Sequence, residues 1–279
     1  MEVIRTIAEL RSALAGRGDR RVGFVATMGA LHQGHLSLVR AARDTCDVVV
    51  LSIFVNPLQF GPSEDFSRYP RDERSDLGAA RSVGVDIAFL PSVEEMYPPG
   101  AETRVVVGAL GDVLEGASRP GHFDGVATVV TKLFSIVEPN VAFFGQKDAQ
   151  QVAVIKALVR DLAIDVEIDV RPIVRESDGL ALSSRNAYLG TDERPSALSL
   201  SYALRAGTAH LELGGEPQAA AKEMWRVLMA DPSVVADYAV AVDPDDMGEP
   251  RPGRPVLLAV AARIGTTRLI DNVLFEKKG

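Results

Sequence analysis

Two histidines three residues apart, His32 and His35, stand around Gly34 where one kind of segment gives way to another. Before them, Arg21-Val22-Gly23-Phe24-Val25 has the pattern of a buried first strand. After them, Leu36, Leu38, Val39 and Ala42 recur at mixed helical spacing, with Arg40, Arg43 and Asp44 on the other face. The pair therefore sits at a strand-to-helix turn, where the first N–H groups of the helix lack partners and carry partial positive charge. Phosphate is the ligand such a turn attracts. The spacing puts both imidazoles on one side of the first turn, and Gly34 removes a side chain where a ligand would approach the backbone. A helix cap with two solvated histidines is the purely structural alternative. Zinc is a third reading, but His-x-x-His supplies only two ligands, and no nearby Cys or third His completes a site.

Three other stretches have residue types suited to chemistry. Lys147 follows the central-strand run Val141-Ala142-Phe143-Phe144-Gly145 and opens a helix. A cation there opposes the helix dipole, which disfavours a structural role and suits a phosphate. Asn56-Pro57-Leu58-Gln59-Phe60-Gly61 falls directly after the β-branched run Val48 to Val55, on the strand edge where the histidines lie. Taken alone it reads as a turn. The segment from Val174 through Leu182-Ser183-Ser184-Arg185-Asn186 reads, in isolation, as a Ser/Gly/Asp-rich interdomain loop.

The run Ala26-Thr27-Met28-Gly29-Ala30-Leu31-His32-Gln33-Gly34-His35 resembles the ATP-binding signature of the HxGH nucleotidylyl-transferase superfamily, and in particular the pantoate–β-alanine ligase family. That family usually has proline where this chain has Ala26, a change that loosens the turn and removes no reacting group. The resemblance extends through Phe54 to Phe60, through Tyr69-Pro70-Arg71 within Glu64 to Arg71, through Arg119 to Val126, through Phe143 to Gln151 and through Ser183 to Asn186. It spans essentially the whole chain, and its separate motifs follow the expected order.

The resemblance implies that Thr27, Met28, His32, Gly34, His35, Gly145, Lys147, Asp148, Val174, Leu182, Ser183 and Arg185 bind ATP. Within that set it makes His32, His35, Lys147 and Arg185 catalytic, places Asp148 on the ribose and lines the adenine pocket with Val174. Met28, Asn56, Gln59 and Gln151 would hold pantoate. Asp76 matches a position associated with Mg²⁺, although its neighbour is Ser75 where some relatives have a second carboxylate; a solvated helix-face carboxylate is the alternative. Arg119 and His122 would face the site, with local packing or bonding the simpler reading for His122. Gln146 and Ala149 replace the family's common Glu and Tyr and touch packing more than the carried-over groups. The implied partners are the small molecules ATP, D-pantoate and β-alanine and, as a homodimer, a second copy of the chain.

The elements that must position these residues suggest an α/β fold, a Rossmann-like doubly wound parallel sheet followed by a smaller C-terminal α+β lid domain. The expected domains are residues 1–175, for ATP and pantoate, and residues 176–279. In the first, a helix is expected over residues 3–15, strands at 21–25, 48–55, 86–91, 104–107, 141–145 and 168–174, and helices at 76–83, 110–116, 126–137 and from 146 to 159. Met96 to Gly100 reads as a loop without chemistry. In the second, helices at 198–213 and 217–228 precede strands at 236–242, 256–263 and 267–275, and little chemistry is expected there.

A chain of 279 residues is ample for a buried core. Its net charge of -8 argues against a general nucleic-acid binder, while leaving room for a local basic pocket. One cysteine, Cys46, excludes an intrachain disulfide and fits a reducing cytoplasm, the expected location. The N-terminus is too polar for a signal peptide, and the longest apolar run falls short of the roughly 20 residues that span a bilayer.

Three functions are compatible with these residues. An ATP-dependent ligase, with pantoate attacking the α-phosphorus and β-alanine then displacing AMP, needs no side-chain nucleophile, and no Ser–His–Asp or Cys–His set is evident. An adenylyltransferase acting on a phosphate acceptor would call for a basic site where the chain has Asn56 to Phe60 and Gln151. The third is an inactive protein of the same fold that binds nucleotide as a regulator or scaffold; the presence of His32, His35, Lys147 and Arg185 together speaks against it, although ligands alone do not prove turnover.

Overall fold

A computed structural model describes residues 1–61, 66 and 69–276. Of the Glu64–Arg71 stretch, Glu64, Asp65, Ser67 and Arg68 lie outside the described residues. Contacts divide the chain into two compact units: Met1–Gly145 with Val154–Arg171, and Gln146–Ala153 with Pro172–Gly279.

The first unit contains, in chain order, β1 (Glu2–Ile4), α1 (Ile7–Ala15), β2 (Val22–Thr27), α2 (Gln33–Thr45), β3 (Val48–Ile53), α3 (Glu73–Ser82), β4 (Ile87–Phe89), α4 (Val93–Met96), α5 (Glu115–Ser118), α6 (His122–Val137) and β5 (Val141–Gly145). It then takes the later part of α7 (Ala149–Asp161) and ends with β6 (Glu167–Arg171). The six strands form one sheet in the order β1-β4-β3-β2-β5-β6, with every pairing parallel. Residues such as Val49, Val50, Leu51, Phe24 and Phe143 are fully buried or nearly so, as strands covered on both faces require.

The strand order reverses between β2 and β5. From β2 the chain winds outward through β3 and β4, and from β5 it winds the other way to β6. At this seam the ladder has only two pairs, Gly23↔Val141 and Phe24↔Ala142. Beyond them, β2 pairs with β3 as far as Thr27, and β5 pairs with β6 as far as Gly145. The carboxyl ends of β2 and β5 are thus unpaired with each other at the point where open parallel sheets take their ligands.

The second unit holds α8 (Glu193–Glu212), α9 (Pro217–Leu228) and an antiparallel sheet of β7 (Val234–Val242), β8 (Val256–Ile264) and β9 (Thr267–Phe275), in that order. Its core joins Leu200, Leu204, Met224 and Leu228 of the helices to Leu258 and Val260 of β8. An α/β parallel sheet with a smaller α+β unit is the fold the sequence predicts.

Several boundaries differ from the sequence reading. Val3 and Ile4, expected to open the helix, belong instead to a strand, because Glu2 to Ile4 pair with Ile87 to Phe89. The helix starts only after Thr6, which accepts from the Glu9 amide while the Glu9 carboxylate accepts from the Thr6 amide. Residues 104–107 make no strand. The Val105 and Val107 amides donate instead to Thr128 Oγ1 and Asp124 Oδ1 of α6, at 3.0 and 2.7 Å. The expected helix at 110–116 is a 3₁₀ turn at Ala109–Gly111 followed by the single turn of α5.

Candidate active site

In the first unit the turn after β2 is built by a reciprocal histidine cap. His32 has extended backbone at the N-cap of α2, and its Nδ1 accepts from the Gly34 amide at 3.1 Å. His35 Nδ1 in turn accepts from the His32 amide at 3.4 Å. The two rings stack with centroids 4.0 Å apart and planes 25° from parallel. A ring nitrogen that accepts an N–H carries a lone pair, so the proton of each neutral imidazole sits on Nε2. Both histidines are half-buried. The cap thus makes each ring a donor at its Nε2 edge, suited to an anionic oxygen, rather than a pair of metal ligands.

Gly34 has a different use from the one its sequence position suggests. A Cβ there would stand 2.9 Å from both Cε1 and Nδ1 of His32, so the glycine makes room for that ring over the first turn. Upstream, Thr27 Oγ1 donates to the Ser52 carbonyl at 2.8 Å, tying the end of β2 to β3. Gly29 follows at φ +85°, a conformation open to glycine, and Ala30 also has positive φ.

Asp76 braces this turn. Its Oδ2 accepts from the Ala30 amide at 3.0 Å and its Oδ1 from the Leu31 amide at 2.7 Å. It is 4% exposed, so it is not a solvated helix-face carboxylate. Both oxygens already serve the backbone that presents the histidines. Among the described residues no group of three or more His, Cys, Asp or Glu side chains converges as a metal site. The donor set does not fit an ion caged by the protein.

The turn after β3 holds the two amides. Pro57–Gln59 form a 3₁₀ turn capped by Asn56, whose Oδ1 accepts from the Leu58 amide at 3.3 Å. Asn56 Nδ2 donates to Gln59 Oε1 at 3.2 Å and to the Gly125 carbonyl at 3.0 Å. Gln59 Nε2 donates to Met28 Sδ at 3.0 Å. Met28, Asn56 and Gln59, three of the four residues expected around pantoate, are therefore joined in one chain of contacts.

Sequence reasoning assigned no chemistry to Tyr97, yet its hydroxyl donates to Asn56 Oδ1 at 2.9 Å. Burial pushes its phenol up to about 12, with Arg104 pulling weakly the other way, so it remains a donor at neutral pH. His122 Nδ1 lies 2.8 Å from the Gln59 carbonyl and must donate to it, leaving Nε2 to accept from Arg119 Nη1 at 3.0 Å. Arg119 Nη2 donates to the same carbonyl at 3.3 Å. His122 does bond locally in space, but to a residue 63 positions away.

Gly145 ends β5 in the first unit, and the second unit carries the remaining expected residues. Gln146–Asp148 form a 3₁₀ turn that leads straight into α7, and Lys147 Nζ lies 3.6 Å from Asp148 Oδ1. Lys147 is half-buried and Asp148 exposed, while Gln151 lies in the first turn of α7. Val174 and Leu182 are tied by an N–H···O bond of 2.9 Å, beside a bridge between Arg175 and Ala181. Ser183 then caps the 3₁₀ turn Ser184–Tyr188 by accepting from the Arg185 amide at 3.2 Å. Asn186 fastens that turn to Glu176 Oε1 at 2.7 Å and to the Ala181 carbonyl at 3.0 Å. Arg194 grips Glu176 and Asp178, at 2.7 and 2.6 Å, and its hydrogen bonds hold both carboxyls below their usual range. What reads as a loose Ser/Gly loop is a braced hairpin.

Comparison with known proteins adds an independent line. A family model described as Pantoate-beta-alanine ligase matches residues 2–274. A pantothenate synthetase of Acidobacterium capsulatum is 54% identical over 291 residues, covering 98% of this chain and 97% of that protein. The crystal structure of pantothenate synthetase from Thermus thermophilus superposes with a TM-score of 0.92 at 49% identity, covering 98% of this chain and 99% of that one. The pantoate-beta-alanine ligase from Francisella tularensis, crystallised with beta-gamma ATP and beta-alanine, gives a TM-score of 0.81 at 34% identity, covering 100% of this chain and 99% of that one.

Proposed function

The chain belongs to the pantoate–β-alanine ligase family, and from that premise we propose that it joins D-pantoate to β-alanine in two steps driven by ATP. In the first, a pantoate carboxylate oxygen attacks the α-phosphorus of ATP. A bond to that phosphorus forms, the bond to the β-phosphate oxygen breaks, and pyrophosphate leaves with the electron pair. In the second, the amine of β-alanine attacks the acyl carbon of pantoyl adenylate, loses a proton, and AMP departs. Substrate supplies both nucleophiles, so the protein's task is positioning and charge stabilisation.

The observation that carries this reading is the histidine cap. Its geometry makes His32 and His35 Nε2–H donors at the helix start after β2, where developing phosphate charge is best met. Thr27, Met28 and Gly34 belong to the same ATP-binding turn. Lys147 and Arg185 would offset the growing negative charge, Gly145, Val174, Leu182 and Ser183 would complete the nucleotide's surroundings, and Asp148 would bind its ribose. Asn56, Gln59 and Gln151 would orient pantoate beside Met28. Mg²⁺ is proposed as the ion that accompanies the triphosphate. Because both oxygens of Asp76 accept backbone amides, no step is assigned to an ion held there. A catalytic region over 1–175, a lid over 176–279, a homodimer and a cytoplasmic location complete the proposal.

Isotope exchange tests it. With ATP, Mg²⁺ and D-pantoate alone, labelled pyrophosphate should enter ATP, and AMP should accumulate only after β-alanine is added. ATP binding without pantoate-dependent exchange would exclude the adenylate route.

A further inference from the structure

The Asp271-Asn272 pair on β9 lies in a part of the sequence that suggests little chemistry, yet both side chains are almost fully buried, at 2% and 3% exposure. A buried amide or carboxylate must find partners, and the partners it finds say what it holds in place. Asn272 Nδ2 donates to the carbonyl of Lys147 at 2.8 Å and to that of Gln146 at 3.0 Å. Its Oδ1 accepts from Gln146 Nε2 at 3.2 Å. The amide therefore spends both ends on the one turn that carries Lys147.

Asn272 is itself fixed. Its own backbone amide donates to Asp271 Oδ1 at 2.8 Å, and that carboxylate receives both terminal nitrogens of Arg175, at 2.6 and 2.9 Å. Arg175 opens the hairpin that leads to Ser183 and Arg185, and it is bridged to Ala181 across that hairpin. β9 is an edge strand of its sheet, and two consecutive residues on it tether the Lys147 turn and the base of the serine hairpin.

We propose that Asn272 is a positioning residue for Lys147, clamping the 146–147 backbone so that the ammonium is held ready for the nucleotide phosphates. This rests on the reading of Lys147 as a phosphate partner. A structural amide would matter to folding alone, whereas a positioning amide acts through Lys147 and loses its effect when that lysine is gone.

The test is a double-mutant cycle on ATP affinity, read by titration calorimetry with the full chain. Asn272→Ala should weaken ATP binding about tenfold in the wild-type background and less than twofold in Lys147→Ala. In steady state the same variant should raise KM for ATP and leave KM for pantoate within about twofold. A tenfold loss that persists in Lys147→Ala, or no loss in the single variant, overturns the inference. Should Asn272→Ala not fold, Asn272→Ser, which keeps one donor, goes through the same cycle with the same criteria. The two readings fail differently. Wild-type protein that binds ATP but shows no pantoate-dependent exchange defeats the ligase reading and leaves this cycle interpretable. Wild-type protein that does not bind ATP defeats both.

Discussion

The ring of His32 occupies the space that any side chain at position 34 would need, since a Cβ on Gly34 would lie 2.9 Å from Cε1 and Nδ1 of that ring. Gly34→Ala should therefore expel the imidazole and break the cap on α2. Losing a cap costs about 1 kcal/mol, but replacing glycine by alanine within a helix returns about 0.5–1 kcal/mol. The two nearly cancel. The expected signature is a melting temperature close to wild type with pyrophosphate exchange reduced at least tenfold, measured by calorimetry and exchange assay on one preparation. Unchanged exchange would show that the ring's position is irrelevant to turnover.

Asp76→Asn separates a bracing role from a metal-binding one. The carboxylate accepts the Ala30 and Leu31 amides with its two oxygens. An amide would present an NH₂ to one of those N–H groups, at a cost of about 2 kcal/mol, or about 4–8 °C in melting temperature. The Mg²⁺ concentration for half-maximal activity should stay put. A large shift in that concentration with no loss of stability would make Asp76 a metal ligand after all.

What the sequence discloses and what it hides divide along physical lines. Val48 to Ile53, Val141 to Gly145 and Val256 to Ile264 are legible because continuous apolar runs have few homes other than a covered strand. Glu2 to Ile4 is too short to show a period, although Thr6 and Glu9 carry a local capping signal that marks where α1 begins. Val105 and Val107 look like a strand and are not one, because their amides find side chains of a helix some twenty residues on. The histidines and Lys147 are visible as residue types at informative positions, whereas Asn56 and Gln59, in a stretch that alone reads as a turn, stand out only through the family resemblance. Their supports are not visible: Tyr97 reaches Asn56 from 41 residues away, Asp76 reaches Leu31 from 45, and Asn272 reaches Lys147 from 125. No local pattern encodes such pairs, since they exist only once the sheet order is set.

The hydrogen bonds fix opposite tautomers in one unit. His32 and His35 accept at Nδ1 and so carry the proton on Nε2, whereas His122 donates from Nδ1 to the Gln59 carbonyl and accepts at Nε2. Imidazole ¹⁵N shifts at neutral pH should therefore assign two of these histidines to the Nε2–H form and one to the Nδ1–H form, with Gly34→Ala freeing only the His32 signal from its form. Finding Nδ1–H at His32 would contradict the cap.

Tyr97 offers a pH-dependent test of the amide network. Burial disfavours its phenolate in the folded protein and pushes the phenol up to about 12, against an ordinary value of 10. A folded-state pKa above the unfolded one means that the associated stability is complete below pH 10 and is lost as pH rises from 10 through 12. The wild type should then destabilise across that window with one of its five tyrosines ionising late, read by tyrosinate absorbance. Tyr97→Phe should lack the late step. At neutral pH the same variant loses the 2.9 Å bond to Asn56 Oδ1 and should be less stable by about 1 kcal/mol. If Asn56 and Gln59 hold pantoate, KM for pantoate should rise severalfold while KM for ATP stays constant. Equal changes in both would show that the hydroxyl supports the fold and not the amides.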